Sequence, residues 1–339
     1  MEEKKIKSSG KTIFLSCIMM ILLTIALIMV FKGQWKDILS LLSTIPFYSM
    51  TIIILLGILY HILEASVGKT LVASAVPQFS FSQSITNTYL GVFGNTALFT
   101  VGTLPLQSYY LYRCGVMTGM SIGMMTLEYV THKLSVLLYA VAAVLFGGHT
   151  LISQKDTYLF FVIYACVFAV IVSSFLILLC ASSKIRELIF RLISYLPNNE
   201  KWNQRKEVWK IQIEMLYTQS NQVIHDRNCR VKSFLLNICK LFVFYSIPFW
   251  CFQALEIYDI SFWQVQMLTA FMVLLTNALP NLAGMGSAEF SFLLVFSPFI
   301  GKAQAITALI LYRISTYYVP FLISSTVFVY QQHKWRKNL

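Results

Sequence analysis

The chain has 339 residues, of which 57% are hydrophobic and 12% charged, with a formal net charge of +12. Soluble domains carry roughly 25% charged residues, so the composition excludes an ordinary soluble domain and points to lipid as the solvent. In a soluble protein this basic excess would suggest nucleic acid. Here the positions of the charges decide, and no nucleic-acid partner is expected.

Thr12 to Phe31 is uncharged between Lys11 and Lys32. At about 1.5 Å per residue such a run crosses a ~30 Å hydrocarbon core. More spans follow and no small-residue cleavage site does, so this reads as a retained signal anchor. A second span runs from about Pro46 to Val67. From Thr70 to Tyr112 there is no Asp, Glu, Lys, Arg or His. That is too long for one span, and Gly91, Gly94, Gly102 and Pro105 punctuate it, so the pattern predicts two short helices in a hairpin over 82–112. Thr118 to Gly147 reads as one long helix carrying Glu128, His132 and Lys133, and Thr157 to Ser183 as a clean span.

Lys184 to Lys232 is the one long polar segment, with ten Lys/Arg and five Asp/Glu. Trp202, Trp209, Leu216 and Val223 recur every seven residues, with Ile213 on nearly the same face. This predicts an amphipathic helix, either lying on the membrane surface or packed against the protein's own cytoplasmic face. The segment is too short for a soluble catalytic domain. Ser233 to Leu255 is a further span, with Lys240 able to snorkel from its inner part. Ile260 to Ala288 is again free of charge and is broken by Asn277, Pro280, Gly284 and Gly286. Together with Phe290 to Ile300 it predicts a second hairpin over 262–300. Ala303 to Tyr330 is the last long helix, with Arg313 inside it.

The expected fold is therefore all-α: a single polytopic membrane domain over 1–339 with about eight transmembrane segments. Its halves are 46–183 and 233–332, joined by the basic cytoplasmic segment 184–232. With the N-terminus inside and each hairpin counted as a net return, inner segments hold 19 Lys/Arg and outer segments four. The positive-inside rule then places both termini in the cytoplasm. The hairpins enter from opposite sides, as in an inverted repeat, which in transporters places broken helices around a midplane site. Non-helical backbone at that depth must be buried in protein or line a wet cavity.

The sharpest motif is Pro280-Asn281-Leu282-Ala283-Gly284-Met285-Gly286-Ser287-Ala288-Glu289. Pro280 ends one half-helix, the glycines permit unusual turns, and Ser287 is expected to cap the next half-helix. A helix N-terminus attracts anions, a phosphate head group among them, and favours a carboxylate such as Glu289 in its first turn. Arg313 lies in the following helix and can pair with Glu289. The first hairpin offers Asn95, Gly102, Pro105, Gln107 and Arg113, followed by Glu128 and, one turn on, His132 on the same face. An intramembrane ionisable group is expensive, roughly 2.5–3.5 kcal/mol on insertion scales. Glu128, Glu289 and Arg313 are thus functional candidates; the competing reading is structural ion pairs that clamp each hairpin to its helix. His61 and Glu64, near the inner end of the second span, read as interfacial and structural.

The seven cysteines show no CxxC and no spacing with His that suits a metal. Neither a disulfide framework, a metal nor a cofactor is expected. No nucleotide-binding motif and no nucleophile–base spacing stands out, so no catalytic residue is named.

The run Pro280 to Glu289 resembles the Pro-x-Pro-Gly-Gly-x-Gly-x-x-Glu signature of the lysylphosphatidylglycerol synthase transmembrane (flippase-like) family. The Arg of the following helix matches Arg313, and an earlier Pro…Arg element and Glu match Pro105, Arg113 and Glu128. Leu282 replaces the second Pro and Ala283 the first Gly of the pair. Tyr129 stands where the family has Arg, and Gln107-Ser108 replaces a Gly-acid pair. The resemblance implies a bacterial plasma-membrane protein that handles a phospholipid or lipid-linked substrate, here as a free-standing membrane domain without the soluble aminoacyl transferase of full-length members. It implies translocation of an anionic, aminoacylated or polyprenyl-linked lipid. The alternatives are a lipid-head-group transferase and a non-catalytic partner that recruits a cytoplasmic synthase; a homo-oligomer is also compatible. The substrate-binding set expected is Arg113, Glu128, His132, Asn277, Gly284, Gly286, Ser287, Glu289 and Arg313.

Overall fold

The computed structural model describes residues 43–97, 102–152, 183–195, 199–279 and 286–337, with a few isolated positions besides. The expected first span (12–31), most of the span 157–183 and the segment Pro280 to Met285, Gly284 included, lie outside the described residues. Within them the chain forms helices without strands: α1 (Phe47–Ala73), α2 (Phe81–Ala97), α3 (Thr103–Arg113), α4 (Thr118–Ile152), α5 (Ser183–Ser194), α6 (Glu200–His225), α7 (Arg227–Ala254), α8 (Phe262–Ala278), α9 (Ser287–Ile300) and α10 (Lys302–Arg313). A π-helical turn (Ile314–Tyr318) then joins α10 to α11 (Val319–Lys337). Among the described residues three helical stretches are long and apolar enough to cross a membrane: Phe47–Ala73, Arg227–Ala254 and Lys302–Trp335.

Both predicted hairpins are present, each as two short helices. At about 1.5 Å per residue, the 11 residues of α3 and the 14 of α9 are too short to cross alone. Each hairpin starts with the same device. Ser80 Oγ accepts the backbone N–H of Gln83 at 3.2 Å, and Gln83 Oε1 accepts that of Ser80 at 2.7 Å. Ser261 and Gln264 repeat this reciprocal cap at 3.4 and 3.0 Å, which satisfies two otherwise orphaned donors at each helix start. The local sequences, Ser-Phe-Ser-Gln and Ser-Phe-Trp-Gln, are near copies.

The two halves repeat each other. Helices α1 and α7 have 27 and 28 residues, and α2 and α8 both have 17. Helices α3 and α4 correspond to α9 and the α10–α11 unit, each pair starting 184 positions apart in the chain. Helices α1 and α7 pack most extensively and run antiparallel. Cys229, at the start of α7, donates to Thr70 O near the end of α1 at 3.6 Å, while Ile53 near the start of α1 packs with Ile247 and Cys251 near the end of α7. Opposed direction in equivalent helices is the geometry of an inverted repeat.

The halves also exchange partners. Helix α2 packs on α11, where Phe93 stacks on Phe328 at 4.1 Å. Helix α8 packs on α4 through Gln266, which accepts from Tyr139 Oη at 2.7 Å and donates to Ser246 Oγ of α7 at 2.7 Å. A buried amide in an apolar setting must find partners, and these three residues tie α4, α7 and α8 together.

Helix α6 packs against α4, with Met215 over Gly119. Trp202 and Trp209 do share a face, with ring centroids 6.3 Å apart; the side chains of Leu216 and Val223 lie outside the described residues. Of the two expectations for this helix, contact with the protein's own surface is the one the fold displays. Lys240 departs from expectation. It does not snorkel outward but is 1% exposed at the middle of α7.

Candidate functional site

Two groups of ionisable residues lie inside the helix assembly. The first sits at the start of α9. Gly286 takes the N-cap position with φ 90° and ψ −66°, a geometry closed to ordinary L-residues. Ser287 was expected there as the cap; it is instead the first helical residue, and its buried hydroxyl has no hydrogen-bond partner among the described residues. The cap is supplied by Glu289, whose Oε2 accepts the Gly286 N–H at 2.6 Å. Its other oxygen, Oε1, accepts from Arg313 Nε at 2.6 Å and also contacts Nη2. The guanidinium lies over the Tyr317 ring, 5.2 Å from its centroid. Glu289 and Arg313 are 6% and 7% exposed.

This arrangement does two things. It ties the start of α9 to the end of α10, so the hairpin is clamped by a charge-assisted bond. It also fills the helix N-terminus with the protein's own carboxylate, which occupies the place an external phosphate would take. Replacing Gly286 by Ala should cost about 1–3 kcal/mol through backbone strain alone. A thermal-unfolding series in detergent that includes Ser287→Ala as a nearby control checks this.

Among the described residues the first hairpin has no such clamp. In the register set by the helix starts, Gly102 corresponds to Gly286, but Pro105 stands where Glu289 does and Tyr129 where Arg313 does. Close backbone packing replaces the charges. A methyl group added at Gly94 would lie 2.8 Å from the backbone of Gly102 and Thr103, and one added at Gly91 would overlap the Gln107 amide. Gln107 Nε2 donates to Asn87 O at 3.2 Å. Arg113 ends α3 exposed, away from both groups.

The second group lies where α1, α4 and α7 meet. His61 Nδ1 and Glu64 Oε2 of α1 are 3.2 Å apart. One turn on, Gly68 leaves room for α4: a methyl group there would sit 3.3 and 3.4 Å from the carboxylate oxygens of Glu128 and 3.2 Å from Ser84 Oγ. His132, one turn from Glu128, has a buried Nδ1 without a hydrogen-bond partner among the described residues. The Lys240 ammonium lies 5.8 Å from the centroid of the Tyr60 ring and acts electrostatically on Glu64, Glu128 and His132. Neighbouring Lys133 turns away: its Nζ donates to exposed Asn277 Oδ1 at 2.8 Å and lies over the Tyr129 ring.

Of the expected site residues, the fold thus joins Glu289, Arg313 and Gly286 in one place and Glu128 and His132 in another, with Asn277 bridged to α4 by Lys133. Lys240, Glu64 and His61 belong to the second group and were not expected in it. The signal available for them was that Lys240 and Glu64 stand inside apolar runs, where a charge is costly. Among the described residues no set of three or more His, Cys, Asp or Glu side chains could hold a metal ion.

No curated protein matches the chain. The family model described as the lysylphosphatidylglycerol synthase TM region matches residues 14–324. That is most of the sequence, and it agrees with an all-helical membrane domain containing a glycine-broken, Glu-capped hairpin: the chain belongs to the lysylphosphatidylglycerol synthase transmembrane family, a family of membrane proteins tied to lipid metabolism.

Proposed function

We propose that this protein moves a lipid head group across the bilayer, the lipid being anionic, aminoacylated or polyprenyl-linked, in a bacterial plasma membrane with both termini cytoplasmic. The observation that carries the reading is the half-buried Glu128 carboxylate facing Gly68, at the meeting of two antiparallel halves that each contain a broken hairpin. Broken helices tolerated at membrane depth imply a lined space rather than lipid contact, and ionisable groups there belong to substrate or ion pathways by default. Glu128 and His132 contact the head group, with Lys133 and Asn277 at the margin. Glu289, Arg313 and Gly286 hold the second hairpin in place. Arg113 and the basic α5 and α6 region attract anionic lipid from the cytoplasmic leaflet.

A leaflet-resolved assay with fluorescent phospholipids in proteoliposomes tests this. Wild type is expected to move lipid at least tenfold faster than empty vesicles. Glu128→Gln, which removes the charge with little change of shape, is expected to abolish most of that gain without loss of folded protein. Lipid movement in wild type no faster than in empty vesicles, or undiminished in Glu128→Gln, overturns the proposal.

A further inference from the structure

The α1/α4/α7 group carries an imbalance of charge. Two carboxylates, Glu64 and Glu128, share one buried cation, Lys240. Glu64 also has the His61 ring at 3.2 Å. Among the described residues Glu128 makes no ion pair. Among the described residues its surroundings supply no further cation. From α1 it faces Tyr60, Glu64 and Gly68, with Ser84 of α2 beside that glycine; from α7 it meets Lys240, and on its own helix His132 lies one turn on. Helix α8 has no charged residue, Lys133 is directed to Asn277, Arg113 is exposed at the end of α3, and α6 meets α4 through Met215 at Gly119, more than two turns before Glu128. Within an apolar interior an unbalanced charge is not sustained; the group is neutralised or finds a counter-ion.

Resting on the lipid-translocation reading above, we infer that Glu128 holds either a proton or the cationic group of a lipid head, in exchange for one another. The chemical class of ligand is a lipid bearing a primary ammonium. On arrival its ammonium pairs with the Glu128 carboxylate, and the proton on that carboxylate leaves to water. On departure a proton returns. The interior stays balanced in both states, and each transported cation is coupled to about one proton moving the other way. His132, with its unpartnered ring nitrogen one turn away, is placed to relay that proton.

The test is binding of a short-chain lipid with a free primary ammonium to the full-length protein in weakly buffered detergent, read with a pH indicator. Binding by wild type is expected to release about one proton and to weaken about tenfold per pH unit on the acid side, the slope of a single exchanged proton. The same lipid N-acetylated is expected to release none. Glu128→Gln is expected to bind without releasing protons and without that slope; Glu64→Gln, which leaves Lys240 to balance the Glu128 carboxylate, is expected to lose the proton release as well, and Glu207→Gln on exposed α6 is expected to keep both. A wild-type affinity that is flat with pH, binding without proton release, or no binding of the ammonium lipid each overturns the inference. Proton release in micelles alongside no lipid movement in vesicles would instead overturn translocation and leave the exchange standing.

Discussion

Replacing Arg313 by alanine is expected to lower the stability of the detergent-solubilised protein by about 3–5 kcal/mol, the usual cost of stranding one member of a buried ion pair. Glu289 would keep the Gly286 N–H on Oε2 but lose its partners on Oε1, in a position 6% exposed. Glu289→Gln should cost less, because the amide oxygen can still accept from Gly286 or from the guanidinium. The double change Glu289→Gln with Arg313→Met removes both charges while filling the volume. It should recover a large part of the loss, since replacing a buried pair by apolar groups is often near neutral. Thermal unfolding of wild type, Glu289→Gln, Arg313→Met and the double change closes this cycle. An Arg313→Ala melting curve that coincides with wild type contradicts the clamp, and strictly additive losses contradict the pairing.

That cycle also separates two roles the motif had left open. A carboxylate that holds the hairpin shows its effect in stability first and in lipid movement through it. A carboxylate that meets substrate shows it in transport with the fold unchanged. Glu289 is paired with Arg313, while Glu128 is half-buried and without an ion pair among the described residues, so the proposed function expects the first behaviour of Glu289 and the second of Glu128.

The hairpins were legible because charge and backbone punctuation are independent signals that agreed. The runs Thr70–Tyr112 and Ile260–Ala288 carry no charge, and Gly102 and Gly286 stand at the starts of the second helix of each hairpin, while Gly91 and Gly94 continue inside α2. The expected bounds 82–112 and 262–300 meet helices spanning 81–113 and 262–300. The repeat was legible only as pattern, yet two plain marks of it stand in the chain. One is the pair of Ser-x-x-Gln caps at Ser80 and Ser261; the other is the matched glycines Gly102 and Gly286.

What failed did so for local reasons. Ser287 outranks Gly286 as an N-cap by preference, but the positive φ of the turn admits glycine, and a first-turn carboxylate took over the capping bond. Lys240 looked able to snorkel because a lysine stem spans several ångströms. Helices α1 and α4 cover its face of α7, so the ammonium points inward, to Tyr60 and the two glutamates. Which faces of three apolar helices meet is a tertiary fact that no single helix encodes.

A tight approach between the two halves lies elsewhere, and it supports a large packing effect. A methyl group at Gly57 of α1 would overlap both the carbonyl and the hydroxyl of Ser315. Ser315 lies in the π-turn that follows Arg313, and its Oγ donates to Ile53 O at 2.6 Å. A π-turn widens the helix locally and offsets its carbonyls from the usual ladder, which carries Ser315 toward α1. Gly57→Ala is therefore expected to cost about 1–3 kcal/mol from overpacking, with about 1 kcal/mol more where the Ser315 bond is lost. Ser315→Ala alone should cost only that second amount. The decisive measurement is the double variant. If the crowding were between side chains, Ser315→Ala would rescue Gly57→Ala. Because the backbone carbonyl of Ser315 also stands in the way, no rescue is expected, and α1 must move away from the π-turn. That displacement acts on both sites at once, since α1 carries Glu64 and Gly68 and the π-turn adjoins Arg313. Lipid movement by Gly57→Ala should accordingly fall further than its stability loss alone would bring about.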